Sequence, residues 1–140
     1  MARSWIEDPA GMDALLNSPT GPVGRLVADV TRNVLRAVEV ECPKRTGATA
    51  RSFHSDIEIR PNRQIRGRVF SDDPVVQYLE QGTGLYGPRG RRITPRTSKA
   101  LRFELGGQVI FAKSVRGMRK QPFMRRSLEI GSPWPVRDGR

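Results

Sequence analysis

Several short runs in this sequence have the residue types that chemistry requires. Gly82-Thr83-Gly84-Leu85-Tyr86-Gly87 matches G-x-G-x-x-G, the spacing of a dinucleotide or phosphate loop. Such a loop works between a strand and a helix N-terminus, whose free backbone N–H groups hold the anion. Here a short helical pattern comes first and Pro88 follows, so the run reads as a turn and no cofactor is expected. His54 is the sole histidine and Cys42 the sole cysteine, which excludes a multi-histidine metal site, a zinc knuckle and an internal disulfide. Cys42 closes an apolar helical face and reads as packing. Asp72-Asp73 resembles a carboxylate pair, but capping of the helix that Pro74 opens accounts for it. Glu80 lies where that helix meets a basic loop, and one of the loop's arginines is its expected partner. No catalytic residue and no metal ligand is assigned, and the chain is expected not to be an enzyme.

Charge is distributed unevenly. Residues 1–84 hold 11 Lys+Arg against 11 Asp+Glu, and residues 127–140 hold 2 against 2. Residues 85–126 hold 12 against 1, which is the whole net charge of +11. Nine of those twelve are arginine, the residue suited to bidentate contacts with phosphate or carboxylate. A one-sided excess of this kind attracts polyanions or an acidic protein surface across a screening length of about 8–10 Å. Arg89, Arg91, Arg92, Arg96 and Lys99 are the candidate contact residues.

These residues must be positioned by a modest frame. With 36% hydrophobic and 6% aromatic residues, 14 Gly and 11 Pro in 140 residues, the chain predicts one small domain rich in turns. Residues 1–20 form a leader that either packs on the domain or reaches a neighbouring subunit, with Asp8-Pro9 capping a short helix. Gly21-Pro22 opens an amphipathic helix of about five turns, with Val23, Leu26, Val27, Val30, Val34 and Val38 on one face, ended by Cys42-Pro43. Phe53, Ser55, Ile57 and Ile59 alternate with charged neighbours, turn at Pro61-Asn62, and continue as Ile65, Gly67 and Val69, predicting two antiparallel strands with one wet face.

A helix of two turns follows Asp73-Pro74 and stops at Gly82. The loop 83–98 is longer than most inside compact domains, and such loops are functional or disordered until bound. Residues 99–105 and 108–114 then predict a hairpin about Gly106-Gly107, a pair suited to a primed turn. Its register places Leu101, Phe103, Ile110 and Ala112 on one face and Arg102, Glu104, Val109 and Phe111 on the other. That second face is too apolar for exposure and too charged for a core, so Arg102, Val109 and Phe111 are read as a subunit interface. Pro122-Phe123-Met124 starts a last helix ending near Gly131, and residues 132–140 form a loose tail. The fold class is α+β: a long N-terminal amphipathic helix on a small antiparallel sheet, with short helices and a long basic loop, the domain covering residues 21–131. No apolar run approaches the length of a membrane span and none has the form of a signal peptide, so a soluble protein of the cytoplasm is expected.

Three segments fall in order: Pro43-Lys44-Arg45-Thr46-Gly47 after the long helix, Tyr78-Leu79-Glu80-Gln81-Gly82-Thr83 ending a short one, and Gln121-Pro122-Phe123-Met124 beginning the last. Together, over residues 23–130, they resemble the head-to-tail connector and tail-completion proteins of the neck of long-tailed double-stranded DNA bacteriophages. The resemblance implies an α+β subunit without catalytic activity, assembled in the host cytoplasm into a homo-oligomeric ring of six copies in the virion neck. It implies turns at Thr46-Gly47 and Gly82-Thr83 and a core anchor at Phe123. Its partners would be copies of itself and the adjacent portal-side, neck or tail-tube proteins, with non-specific contact to packaged DNA, so that the basic loop faces either the DNA or an acidic ring. A free basic nucleic-acid-binding protein is the alternative. Tyr86 alone within the loop, and no recognition-helix pattern, argue against single-strand stacking and groove reading.

Overall fold

The computed structural model describes residues 7–137. The first six residues of the leader and the last three of the tail lie outside them. Helices and two small antiparallel sheets make an α+β chain, as the sequence predicts. The chain forms two compact units, one of residues up to Ser71 with residues from Arg125 onward, the other of Asp72–Met124.

In the first unit, α1 (Pro9–Leu16) starts where the Asp8 carboxylate accepts the Gly11 N–H at 3.0 Å. Proline at the first helical position needs no N–H partner, and the same device opens α2 (Pro22–Glu41). Twenty residues make α2 about 30 Å long. Gly24, Thr31, Val34 and Val38 are its buried positions, a narrower stripe than the sequence predicts, because Leu26 and Val23 stay partly in solvent. Cys42 is buried just beyond the helix, as a packing residue.

After the single turn of α3 (Ala48–Arg51), β1 (Phe53–Ile59) pairs with β2 (Ile65–Ser71) in the register Ser55 opposite Val69 and Ile57 opposite Gly67. That face lies on α2. A methyl group added at Gly67 would come 1.9 Å from Thr31 Oγ1, so glycine is what lets the sheet approach the helix here. Thr31 is buried and turns its hydroxyl to the Val27 carbonyl at 2.7 Å. Burial falls along β1, from Phe53 at 5% exposed to Ile59 at the hairpin tip, 51% exposed.

The other face of the hairpin is wet. Arg68 grips Asp56 through Nε and a terminal nitrogen, lies 3.3 Å from Glu58, and stacks 5.6 Å from the centre of the Phe70 ring. The hydrogen bond from Arg68, together with its charge, holds the Asp56 carboxyl below the usual aspartate range. The helix α5 (Phe123–Gly131) ends in this unit with Gly131 packed on the backbone of Val34.

Replacing Gly67 tests the approach of sheet to helix. Gly67→Ala adds a methyl group to a filled space and is expected to cost about 1–3 kcal/mol, read as a lower urea midpoint with an unchanged slope. An unchanged midpoint would mean that α2 and the hairpin are not in contact at this residue.

Candidate functional site

The unit Asp72–Met124 begins with α4 (Pro74–Gln81), whose N-terminus is capped by Asp73 accepting the Val75 N–H at 2.9 Å. Gly82, in the left-handed region at φ 77°, ends the helix. From there the chain runs backbone to backbone against a distant segment. Thr83 N–H donates to the Met118 carbonyl at 2.9 Å, Met118 N–H donates back to Thr83 Oγ1 at 2.9 Å, and Leu85 N–H donates to the Arg116 carbonyl at 2.8 Å. A Cβ at Gly84 would fall 2.3 Å from the Arg116 carbonyl oxygen, and one at Gly117 would fall 2.1 Å from that of Thr83. Gly82 and Gly84 of the G-x-G-x-x-G run thus serve a close crossing of two main chains.

Glu80 departs from expectation. Its carboxylate accepts the backbone N–H of Met124, at the start of α5, at 2.7 Å, instead of meeting an arginine. A free N–H and the positive end of a helix favour a negative acceptor there. Beside it, Gln121 N–H donates to the Leu79 carbonyl at 2.7 Å. The segments Tyr78–Thr83 and Gln121–Met124, whose paired residues are 42 and 44 positions apart, are therefore one structural clasp. Val76, Leu79 and Phe123 are the buried apolar residues of this unit, with Phe123 fully enclosed.

The loop 83–98 is more ordered than its composition predicts. Gly84–Tyr86 makes one turn of 3-10 helix, Ile93 and Val115 exchange both backbone hydrogen bonds at 2.9 and 3.0 Å, and Arg92 Nε donates to Ser114 Oγ at 2.9 Å. These long-range ties have no periodic signal in the sequence, which is why a loop read residue by residue hides them. They anchor the arginine-rich segment to the connector 115–121, where the Arg119 guanidinium stands 5.4 Å from the centre of the Tyr86 ring.

The second hairpin has the predicted register. β3 (Leu101–Leu105) pairs with β4 (Gln108–Ala112), Leu101 opposite Ala112 and Arg102 opposite Phe111. Gly106 and Gly107 both have positive φ, the requirement of a type I′ turn. The face of Arg102, Glu104, Val109 and Phe111 is open: Phe111 is 67% exposed and Val109 is 48% exposed.

Arg89, Arg91, Arg92, Arg96, Lys99, Arg102, Lys113, Arg116, Arg119 and Lys120 are the ten basic residues of this unit, and every one is exposed. Among the described residues none of the ten forms an ion pair, whereas Arg32, Arg63, Arg68, Arg125 and Arg126 of the other unit each face a carboxylate. Of the four acids in Asp72–Met124, Asp73 and Glu80 are held by backbone N–H groups. Asp72 and Glu104 are exposed. The structure thus gathers the predicted contact residues Arg89, Arg91, Arg92, Arg96 and Lys99 and the predicted interface residues Arg102, Val109 and Phe111 into one unit. It adds Lys113, Arg116, Arg119 and Lys120, which the sequence counts within the basic stretch 85–126 without assigning them a contact.

Comparison of the chain with protein-family models, with curated proteins and with solved structures gives no match.

Substitution at Glu80 separates a capping role from a reactive one. Glu80→Ala leaves the Met124 N–H without its acceptor and is expected to cost about 1–3 kcal/mol, while Glu80→Gln, which keeps an acceptor oxygen, loses less. Equal thermal midpoints for wild type and Glu80→Ala would contradict the cap.

Proposed function

We propose that this chain is a non-catalytic structural subunit of the bacteriophage neck, closing into a homo-oligomeric ring that joins the DNA-filled head to the tail. The observation that carries the reading is the open β3–β4 hairpin. A two-stranded hairpin alone is at best marginally stable in water, and this one leaves Val109 and Phe111 exposed beside Arg102 and Glu104. A second copy covering that face would bury the aromatic ring and leave the charged pair at the rim, the arrangement of a protein interface. The clasp supports the same reading. Two of the three segments that carry the family resemblance meet at Glu80–Met124 and Leu79–Gln121, so those residues hold a frame together.

In this reading the ring holds six copies and sits in the virion, with the basic unit turned towards a negative neighbour. The second reading, a free nucleic-acid-binding protein, is favoured by the same ten unpaired cations but gives Val109 and Phe111 nothing to do.

Particle mass in solution distinguishes the two. Purified chain is expected as a closed ring by native mass spectrometry and negative-stain imaging, and Val109→Ser with Phe111→Ser is expected to give folded monomer, with far-ultraviolet circular dichroism unchanged. Wild-type protein that is monomeric at every concentration, or a double variant that still closes rings, would sink the ring.

A further inference from the structure

We infer that the basic unit Asp72–Met124 takes the phosphate backbone of duplex DNA as its partner, without reading sequence. This rests on the reading of that face as the contact for a negative neighbour and names which neighbour. Residues 87–99 are the core of the case. Besides Arg89, Arg91, Arg92, Arg96 and Lys99 they contain Ile93 and otherwise only Gly, Pro, Thr and Ser. An acidic protein surface would be met by an apolar or aromatic anchor enclosed by a polar rim, and the one large apolar residue of this segment, Ile93, is 37% exposed and pinned by its bridge to Val115. Guanidinium groups, hydroxyls and backbone N–H groups are the donors that phosphates receive, and Thr94, Thr97 and Ser98 are exposed among the arginines.

One of the donors is also held in place. Arg92 Nε is tied to Ser114 at 2.9 Å, and this fixes the side chain while leaving its two terminal nitrogens for a bidentate contact. The Ile93–Val115 bridge and the Thr83–Met118 pairing fix the loop beside the connector that carries Arg116, Arg119 and Lys120. A surface anchored in this way needs little ordering when it binds, so less of the contact energy is lost to entropy.

The nucleic acid is a duplex and its sequence is not read. Single-strand platforms stack bases on open aromatic faces; the aromatic ring beside this loop, Tyr86, already has the Arg119 guanidinium over it, and the open ring of Phe111 lies on the hairpin face assigned to a second copy. The one long element of the unit, α4, carries none of the basic residues, so no basic helix is presented to a groove.

Fluorescence anisotropy with the full chain tests this, using two short duplexes of unrelated sequence and polyglutamate as probes, across a salt series. Both duplexes are expected to bind alike, with affinity falling linearly on a log–log salt plot. Arg89→Gln, Arg91→Gln, Arg92→Gln and Arg96→Gln together are expected to reduce the slope by about 0.9 for each phosphate contact removed. Arg32→Gln with Arg63→Gln, which removes arginines already paired in the other unit, is expected to leave it unchanged. Polyglutamate bound as tightly as the duplexes, a strong preference between the two sequences, or a slope untouched by the fourfold variant would overturn the inference. Particle mass recorded on the same samples keeps the two readings apart. Monomer that binds duplex supports this inference and removes the ring, while a ring that ignores duplex keeps the ring and removes this inference.

Discussion

The crossing of two main chains at Thr83–Leu85 and Arg116–Met118 is the contact on which the basic unit depends. It demands glycine, because the carbonyls of Arg116 and Thr83 occupy the places where side chains at Gly84 and Gly117 would begin. It also demands a ready end for α5, which Glu80 supplies by accepting the Met124 N–H. With that crossing made, Ile93 and the connector 116–120 are tied to one backbone frame, and the charged side chains of 87–99 and 116–120 are exposed.

The electrostatics follow from how the acids are used. In Asp72–Met124, the carboxylates of Asp73 and Glu80 accept backbone N–H groups at helix starts. Ten like charges therefore share a small unit with only Asp72 and Glu104 in solvent beside them. Two unit charges 10 Å apart in water repel by about 0.4 kcal/mol before salt screens them, so several such pairs together are a noticeable fraction of the roughly 5–15 kcal/mol that stabilises a folded protein. The contrast with the hairpin β1–β2 is direct. There Arg68 is neutralised by Asp56 and approached by Glu58, and the sheet face is an ordinary solvated one. A negative partner would do for the basic unit what Asp56 does for Arg68.

Local signals carried much of this in the sequence. The spacing of Val34 and Val38, the caps at Asp8 and Asp73, and the Gly106-Gly107 turn with its register all depend on residues a few positions apart, and all are found where the pattern puts them. What the pattern hid is non-local. Nothing near Glu80 announces a backbone N–H 44 positions away, and nothing near Thr83 announces one 35 positions away. The alternation in β1 predicts one dry face, but α2 crosses the hairpin at Gly67 and leaves Ile59 half in solvent beyond its reach. At the candidate site the residue types were legible and their convergence was not. Charge counting found the basic stretch 85–126, and only the Ile93–Val115 and Thr83–Met118 pairings show its two ends brought side by side.

The most direct test of unpaired positive charge in the free protein is the salt dependence of its thermal midpoint. Between about 0.01 M and about 1 M sodium chloride the screening length falls from about 30 Å to about 3 Å. If the cations of Asp72–Met124 repel one another unrelieved, the midpoint rises with salt. In the chain with Arg89, Arg91, Arg92 and Arg96 changed to glutamine it starts higher and rises less. A midpoint that is flat or falls as salt is added, the same in both chains, would mean that these charges are already neutralised within the protein.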